Sequence, residues 1–403
     1  MGKVSHLYIH LPFCARRCGY CDFFSTVEKQ ALAPAYVDAV LGELEAASGI
    51  LKPLESVYVG GGTPTSIDAM QLDRLLSAVA ERCAPGAEVT VEANPATVKP
   101  GMAAALAAMG VTRVSLGVQS FSSQTRRRLE RRGDAGGAER ALRALRAAGF
   151  GNISLDLIFG APEQTLTEVR HDLAAAVALE PEHISCYELS VKPGSGYARR
   201  WAAQLEAATE ECDLFYETVV DTLEGAGYRW YETSNFARPG FECRHNLAYW
   251  AGADYLGLGA GAWSTVGSRR WMNAADVEGY AASGGDFAAS RTEEYLSPQL
   301  KVWEKAMLGM RRAEGADRRL VAGAIDAEQE KLLQRNGFIA VDGDKIYLTR
   351  AGRYVANEVC ARLLRSRGRL AAGRVRSGDG SGSRGRNGSN GSHRSHRSHR
   401  SHD

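Results

Sequence analysis

The 403-residue chain holds no run of ~18 apolar residues, so no segment reads as a membrane-spanning helix. It also lacks the apolar stretch of a secretory leader. Met1-Gly2-Lys3-Val4-Ser5-His6 passes directly into a strand-like run, which implies a cytoplasmic protein. Excess charge is missing too. Lys and Arg total 49 against 47 Asp and Glu, a net +2. The segment from Gly373 to Asp403 carries seven of those Arg and only two Asp, so the rest of the chain is slightly acidic. That balance argues against a nucleic-acid partner. Cysteine is sparse and uneven: of eight, three crowd between Cys14 and Cys21 and five are scattered. A disulfide framework would space them more evenly, and a reducing compartment would keep them as thiols. Hydrophobic residues make up 44% and charged residues 24%, which excludes a wholly disordered chain and a collagen-like repeat.

What is present is an alternation. Strand-like runs occupy Leu7–Leu11, Ser56–Gly60, Glu88–Glu92, Arg113–Gln119, Asn152–Phe159 and His183–Leu189. Helical patterns lie between them, as in Met70, Leu72, Leu75, Leu76 and Val79. Strands alternating with helices predict parallel βαβ units with right-handed crossovers. Six units fall short of an eightfold barrel, so the fold class is α/β, a partial (β/α)6 barrel over residues 1–195. Residues 196–295 hold a helical stretch and then a Gly- and aromatic-rich region that completes the barrel. Residues 296–370 read as helices followed by a small hairpin, a winged-helix-like α+β appendage. Residues 371–403 are Gly, Ser, Arg, Asn and His, ending in a triplet repeat with His393, His396, His399 and His402. With almost no apolar residue this tail is expected to be disordered.

Cys14, Cys18 and Cys21 form C-x3-C-x2-C directly after the first strand. A structural zinc site normally takes four ligands, and no further Cys or His follows at a suitable spacing. Three thiolates suit a [4Fe–4S] cluster with one iron left open to an exogenous ligand. Aromatic and apolar neighbours, among them Tyr8, Phe13, Tyr20 and Phe23, would exclude water from such a cluster. Gly60-Gly61-Gly62-Thr63-Pro64 ends the second strand, where parallel α/β folds place ligand sites; a simple tight turn is the alternative. Glu92 ends the third strand and Gln119 the fourth, while Asp156 sits inside an apolar fifth strand. A carboxylate there needs a partner, such as a ribose hydroxyl or a basic group.

Together the motifs Y-x-H-L-P-F-C-x3-C-x-Y-C-D-F, G-G-G-T-P-T, G-V-Q-S-F, D-L-I-F-G-A-P and H-N-x2-Y-W resemble one branch of the radical S-adenosylmethionine (SAM) superfamily. That branch holds the oxygen-independent coproporphyrinogen III oxidases and the HemW-type heme chaperones. The resemblance covers about residues 5–364. It implies that Cys14, Cys18 and Cys21 ligate the cluster, and that Tyr8, Tyr20, Gly61, Gly62, Thr63, Glu92, Gln119, Arg131 and Asp156 contact SAM. Cys21 is followed by Asp22-Phe23 rather than the Gly-Cys of the oxidases, and only seven residues precede Tyr8. Cys243-Arg244-His245-Asn246-Leu247-Ala248-Tyr249-Trp250 carries the chaperones' H-N-x2-Y-W. These features favour a heme chaperone that binds the cluster, SAM and heme and delivers heme to acceptor hemoproteins, in part at the membrane surface. The alternative is oxidative decarboxylation of coproporphyrinogen III. His245 offers an axial ligand to heme iron, with Tyr249 and Trp250 over the macrocycle. A packed histidine in a turn is the other reading, and Cys243 is a softer candidate ligand. Departures also occur. Arg131-Arg132-Gly133 lacks the family's histidine, Trp263 replaces another in Gly261-Ala262-Trp263-Ser264, and Lys192 stands where an acidic residue is common.

Overall fold

The structure is a computed structural model that describes residues 2–364 except Glu28, Arg132, Ala135 and Phe287. The Gly/Ser/Arg/His tail expected to be disordered lies outside the described residues.

The first half is built as the periodicity requires. Strands β1 (Val4–Leu11), β2 (Leu51–Gly61), β3 (Cys83–Ala93), β4 (Arg113–Gln119), β5 (Ile153–Phe159) and β6 (His183–Glu188) pair in sequence order, all parallel. Between them run α1 (Ala33–Ala46), α2 (Ala69–Ala80), α3 (Pro100–Ala108), α4 (Ser123–Arg128), α5 (Gly137–Ala147) and α6 (Leu166–Ala178). Local chemistry sets several helix starts. Pro stands in the first turn of α1 and α3, and Asp68 accepts from the Met70 amide at α2. Thr165 and Glu168 form a reciprocal capping box at α6.

After β6 come α7 (Gly196–Arg200), the long α8 (Ala202–Gly225), β7 (Arg229–Glu232) and β8 (Asn235–Ala237). Next are α9 (Arg244–Trp250), β9 (Leu256–Leu258), β10 (Trp263–Val266), β11 (Arg269–Met272), α10 (Val277–Ala282) and β12 (Thr292–Tyr295). The main sheet therefore has nine strands, ordered β7-β8-β6-β5-β4-β3-β2-β1-β9. β9 lies parallel on the β1 edge, and β8 and β7 run antiparallel beyond β6. Six strands were expected. The extra three are only three or four residues long, too short for a periodicity to show. β10, β11 and β12 form a separate antiparallel sheet.

The last part comprises α11 (Pro298–Gly309), β13 (Ala316–Asp317), α12 (Arg318–Val321), α13 (Ala327–Arg335), β14 (Ile339–Asp342), β15 (Lys345–Leu348), α14 (Arg350–Tyr354) and α15 (Ala356–Leu363). It has its own apolar core, around Met310, Ile346 and Leu363. It docks on α8 and β7, where the Arg353 guanidinium lies 3.9 Å from the Trp230 ring centre and Tyr354 meets the Tyr216 ring edge-on.

The six parallel strands bury apolar residues toward the helices, such as Ile9, Val59, Val91, Leu116, Leu155 and Ile184. The alternate residues are polar and paired across the sheet: Ser56 with Glu88, Glu92 with Ser115, Ser154 with His183, and Asp156 with Ser185. Polar residues thus line one face of a curved sheet while apolar residues seal the other.

Candidate functional site

The loop between β1 and α1 carries the three cysteines. It is closed at its base, because the Cys14 amide donates to the Thr26 carbonyl and the Thr26 amide to the Pro12 carbonyl. The Cys21 amide turns back onto the Cys18 carbonyl at 3.1 Å. All three side chains are half-buried free thiols. Cys14 Sγ lies 3.7 Å from Thr63 Oγ1, and Arg131 Nη1 donates toward Cys18 Sγ at 3.7 Å. Burial pushes the Cys14 and Cys21 thiols up from their ordinary pKa. Cys18 raises both, and Cys14 raises Cys21 further, so the sulfurs feel one another's charge. A bound cation would remove that mutual repulsion. Among the described residues no three His, Cys, Asp or Glu side chains converge as for a single metal ion. A polynuclear cluster gives each thiolate its own iron and needs no such convergence, so the donor set fits a cluster better than a lone ion.

The glycine loop is pressed against this base. Gly61 has φ of 99°, and a Cβ there would lie 2.3 Å from the His10 imidazole. A Cβ on Gly62 would meet the Leu11 and Phe13 carbonyls at 2.7 Å. Both positions thus demand glycine for steric reasons. The amides of Gly61, Gly62 and Thr63 donate to Glu92, Leu11 and Phe13. What the loop has left for a ligand is carbonyl acceptors, which suit an ammonium group.

Glu92 accepts from Tyr58 Oη at 3.0 Å and from the Gly61 amide at 3.1 Å. Burial, then the neighbouring Asp156, raises its pKa from 4.5 to about 7. Asp156 is raised as well, by burial, and is held by Ser115, Ser154 and Ser185 with Arg113 opposing the shift. Gln119 closes β4 in the left-handed region at φ 70°, which is strained for a side chain of its kind. Its amide and the Arg131 guanidinium both lie over Gly117, and Arg131 also donates to the Gly117 carbonyl. Tyr20 packs with Leu129, Ile158 and Ala161 and meets Tyr197 edge-on. Tyr8 stacks on Tyr58 at 6.3 Å and bonds His10 Nδ1 at 3.0 Å.

A raised carboxylate makes the native state bind more protons than the unfolded chain, so its contribution lowers stability as pH rises. For Glu92 the fall spans pH 4.5 to about 7. Glu92→Gln is expected to flatten the pH dependence of urea unfolding in that window. An unchanged slope would mean that Glu92 is ionised throughout. The same shift makes binding of a cationic ligand strengthen as pH rises toward 7.

His245 is elsewhere. It lies on α9, with Nδ1 3.1 Å from Ser56 Oγ and its ring 5.4 Å from that of Tyr58. Ser56 precedes Gly60 by four residues on β2, about 13 Å along a strand. The cysteines and His245 therefore stand at opposite ends of the polar interior, joined by Tyr58, which packs on His245 and donates to Glu92. Burial pulls the His245 pKa down to about 3, so the imidazole is neutral at ordinary pH. Asn246 and Trp250 hydrogen-bond to the buried Glu232 on β7, and Tyr249 is exposed. Cys243 donates to Glu88 Oε1 at 3.4 Å and its pKa is pushed up to about 12, so it stays a thiol.

The interior cation Arg113 escaped the sequence reading. It is 1% exposed, on β4 among Glu88, Cys243, Tyr231 and Tyr58. The polar alternation Arg113-x-Ser115-x-Gly117 was the available signal. His10 was also missed; its Nε2 and the Phe24 carbonyl lie 2.8 Å apart, beneath Gly61. Trp263, the first residue of β10, is 44% exposed, and Lys192 pairs with Asp22 beside Cys21 at 3.8 Å.

A profile of the radical SAM superfamily matches residues 8–176. The heme chaperone HemW of Mycobacterium tuberculosis is 36% identical over 375 residues, covering 90% of this chain and 95% of that protein. HemW of Bacillus subtilis is 32% identical, covering 89% and 98%. HemW of Escherichia coli is 38% identical over 265 residues, 64% of this chain and 70% of that protein. Among solved structures, the coproporphyrinogen III oxidase HemN of Escherichia coli, described as a radical SAM enzyme, superposes with a TM-score of 0.76. It is 24% identical and covers 90% of each chain, a likeness of fold.

Proposed function

Because the chain belongs to the HemW family of heme chaperones within the radical SAM superfamily, we propose that it binds a [4Fe–4S] cluster, SAM and heme and passes heme to acceptor hemoproteins. The observation that carries the reading is the group of three charge-coupled thiols on one closed loop, with the glycine loop and Glu92 immediately beside it. Cys14, Cys18 and Cys21 hold the cluster. When bound, such a cluster would supply an iron site for the methionine end of SAM. Gly61 and Gly62 offer carbonyls to the ammonium, and Glu92 adds its charge once the ligand's own charge favours ionisation. Gln119, Arg131 and Asp156 complete the SAM contacts, while Tyr8 and Tyr20 keep water away.

Heme is assigned to the opposite end. Ser56 Oγ can accept from His245 Nδ1 while donating to His6 Nδ1 at 2.9 Å. That tautomer leaves the Nε2 lone pair for iron, and the orienting hydrogen bond is of the kind metal-binding histidines use. The low pKa supports the same role, since only the neutral ring ligates. Delivery to a membrane hemoprotein would take place at the membrane surface; among the described residues no helix is long and apolar enough to cross a membrane.

Hemin titrated into the anaerobically reconstituted protein is expected to give a Soret band that His245→Ala weakens by more than the roughly 10–100-fold in affinity that loss of a supporting contact causes. Melting temperature is read beside it, to separate ligation from loss of the Ser56 contact. Unchanged titration would remove His245 from the heme site. Formation of protoporphyrinogen from coproporphyrinogen III by the same sample would overturn the chaperone reading in favour of the oxidase.

A further inference from the structure

A cleft of about 570 Å³ opens beside the strand ends, between the start of α3 and the face of α5. Its inner end reaches Gly117 and Arg131, which belong to the site above. Its outer end is lined by Arg126, which is only 7% exposed. One guanidinium nitrogen donates to the Ser120 carbonyl at 2.8 Å, and Arg126 forms no ion pair among the described residues. Desolvation lowers its pKa from the ordinary value, and Asp172 and Asp134 oppose this without cancelling it. Asp134 is held by Arg140, while Asp172 accepts from the amides of Phe121 and Ser122 through Oδ1 alone, its Oδ2 being buried without a hydrogen-bond partner among the described residues.

The same end holds two further positive features. Helix α3 begins there, and its N-cap residue Lys99 provides no side-chain cap for the first-turn amides. The Lys99 side chain is exposed and makes no ion pair among the described residues. Val98, Val118, Phe121, Ala144 and Ala147 form the apolar part of the walls; Arg140 and Arg143 add two more cations and Asp134 one carboxylate. Arg126 is largely withdrawn from water while its carboxylate neighbours only partly offset the desolvation, so an anion in the cleft would complete its charge pairing. Helix amides and an Arg fork are the groups that recognise oxyanions. The cleft's size is that of small-molecule sites, roughly 300–1,000 Å³.

We propose that the outer end of this cleft binds an oxyanion carried on an apolar body, with Arg126 and Lys99 as its charge partners and the α3 amides as donors. The oxyanion is a phosphate, as on a nucleotide, or a carboxylate, as on a porphyrin side chain. It lies beside the SAM contacts and is separate from them.

The test titrates the reconstituted protein, with and without SAM, with inorganic pyrophosphate, hemin and hemin dimethyl ester, reading heats and melting temperature. Pyrophosphate is expected to bind with SAM present, and Arg126→Gln to weaken it on the order of tenfold, the value of a charge-assisted hydrogen bond. Lys99→Gln, at an exposed position that leaves the fold alone, is expected to weaken it less, and Arg126→Lys to recover part of the loss. Pyrophosphate binding that depends on Arg126 while hemin binding does not identifies a phosphate site. Hemin weakened by Arg126→Gln, with the dimethyl ester binding both proteins alike, identifies a carboxylate site. The proposal is overturned if neither variant changes either affinity, or if SAM displaces pyrophosphate. The pyrophosphate arm involves no heme, so a failure of hemin binding alone would count against the heme reading and leave this one standing.

Discussion

Cys18→Ala is expected to strip the anaerobically reconstituted protein of most of its iron and acid-labile sulfide. The loss should exceed the 10–100-fold that removing a mere supporting contact causes, because a thiolate bonded to iron is removed outright. Cys18 is the thiol that raises the pKa of both other loop cysteines and the one that Arg131 approaches. Its removal therefore takes away the centre of the trio. Cys83→Ala is the control, since that thiol donates to the Val79 carbonyl and stands apart from the loop. Iron and sulfide analysis, with the absorbance of the reconstituted sample, reads the result. Equal iron and sulfide in the Cys18 variant and the parent would sink the cluster assignment, and with it the SAM site.

The second large effect is on stability. Arg113→Met is expected to lower the unfolding free energy by about 3–5 kcal/mol, the usual consequence of removing one charge from a buried set. Arg113 is 1% exposed, and its Nε has no hydrogen-bond partner among the described residues. It acts through its field. It holds down the pKa of Asp156 and Glu92 and helps keep His183 neutral. Without it, three acidic side chains of the interior, Glu88, Glu92 and Asp156, lose their common counter-charge. Urea unfolding at neutral pH measures the loss. Acidifying the medium should then restore part of it, since the carboxyls can take up protons. A change below about 1 kcal/mol would show that the interior carboxyls are already protonated or solvated.

Much of this was legible in the residues. The six long strands and their helices followed from periodicity, since each strand had to bury one face and each helix one stripe. The C-x3-C-x2-C spacing marked the loop, and Gly61 and Gly62 marked a close approach whose reason is now the His10 ring and the Leu11 and Phe13 carbonyls. The H-N-x2-Y-W motif lay in a stretch that read only as Gly- and aromatic-rich, with no helical pattern assigned to it. It is the helix α9, because Cys243, Arg244 and His245 bring their polar groups onto Glu88 at its start. No local pattern announces that, as Glu88 is 155 residues away from Cys243.

The sequence by itself determined the order of strands and helices, the cysteine loop and the residue types at each strand end. Periodicity and spacing are local quantities, and they survive in a one-dimensional chain. Only the tertiary structure decided that His245 and the cysteines lie at opposite ends of one polar interior, that Arg113 supplies its charge, and that Arg126 lines a cleft beside α3. Those facts depend on which side chains meet across strands far apart in sequence, and on how much water the packing leaves between them.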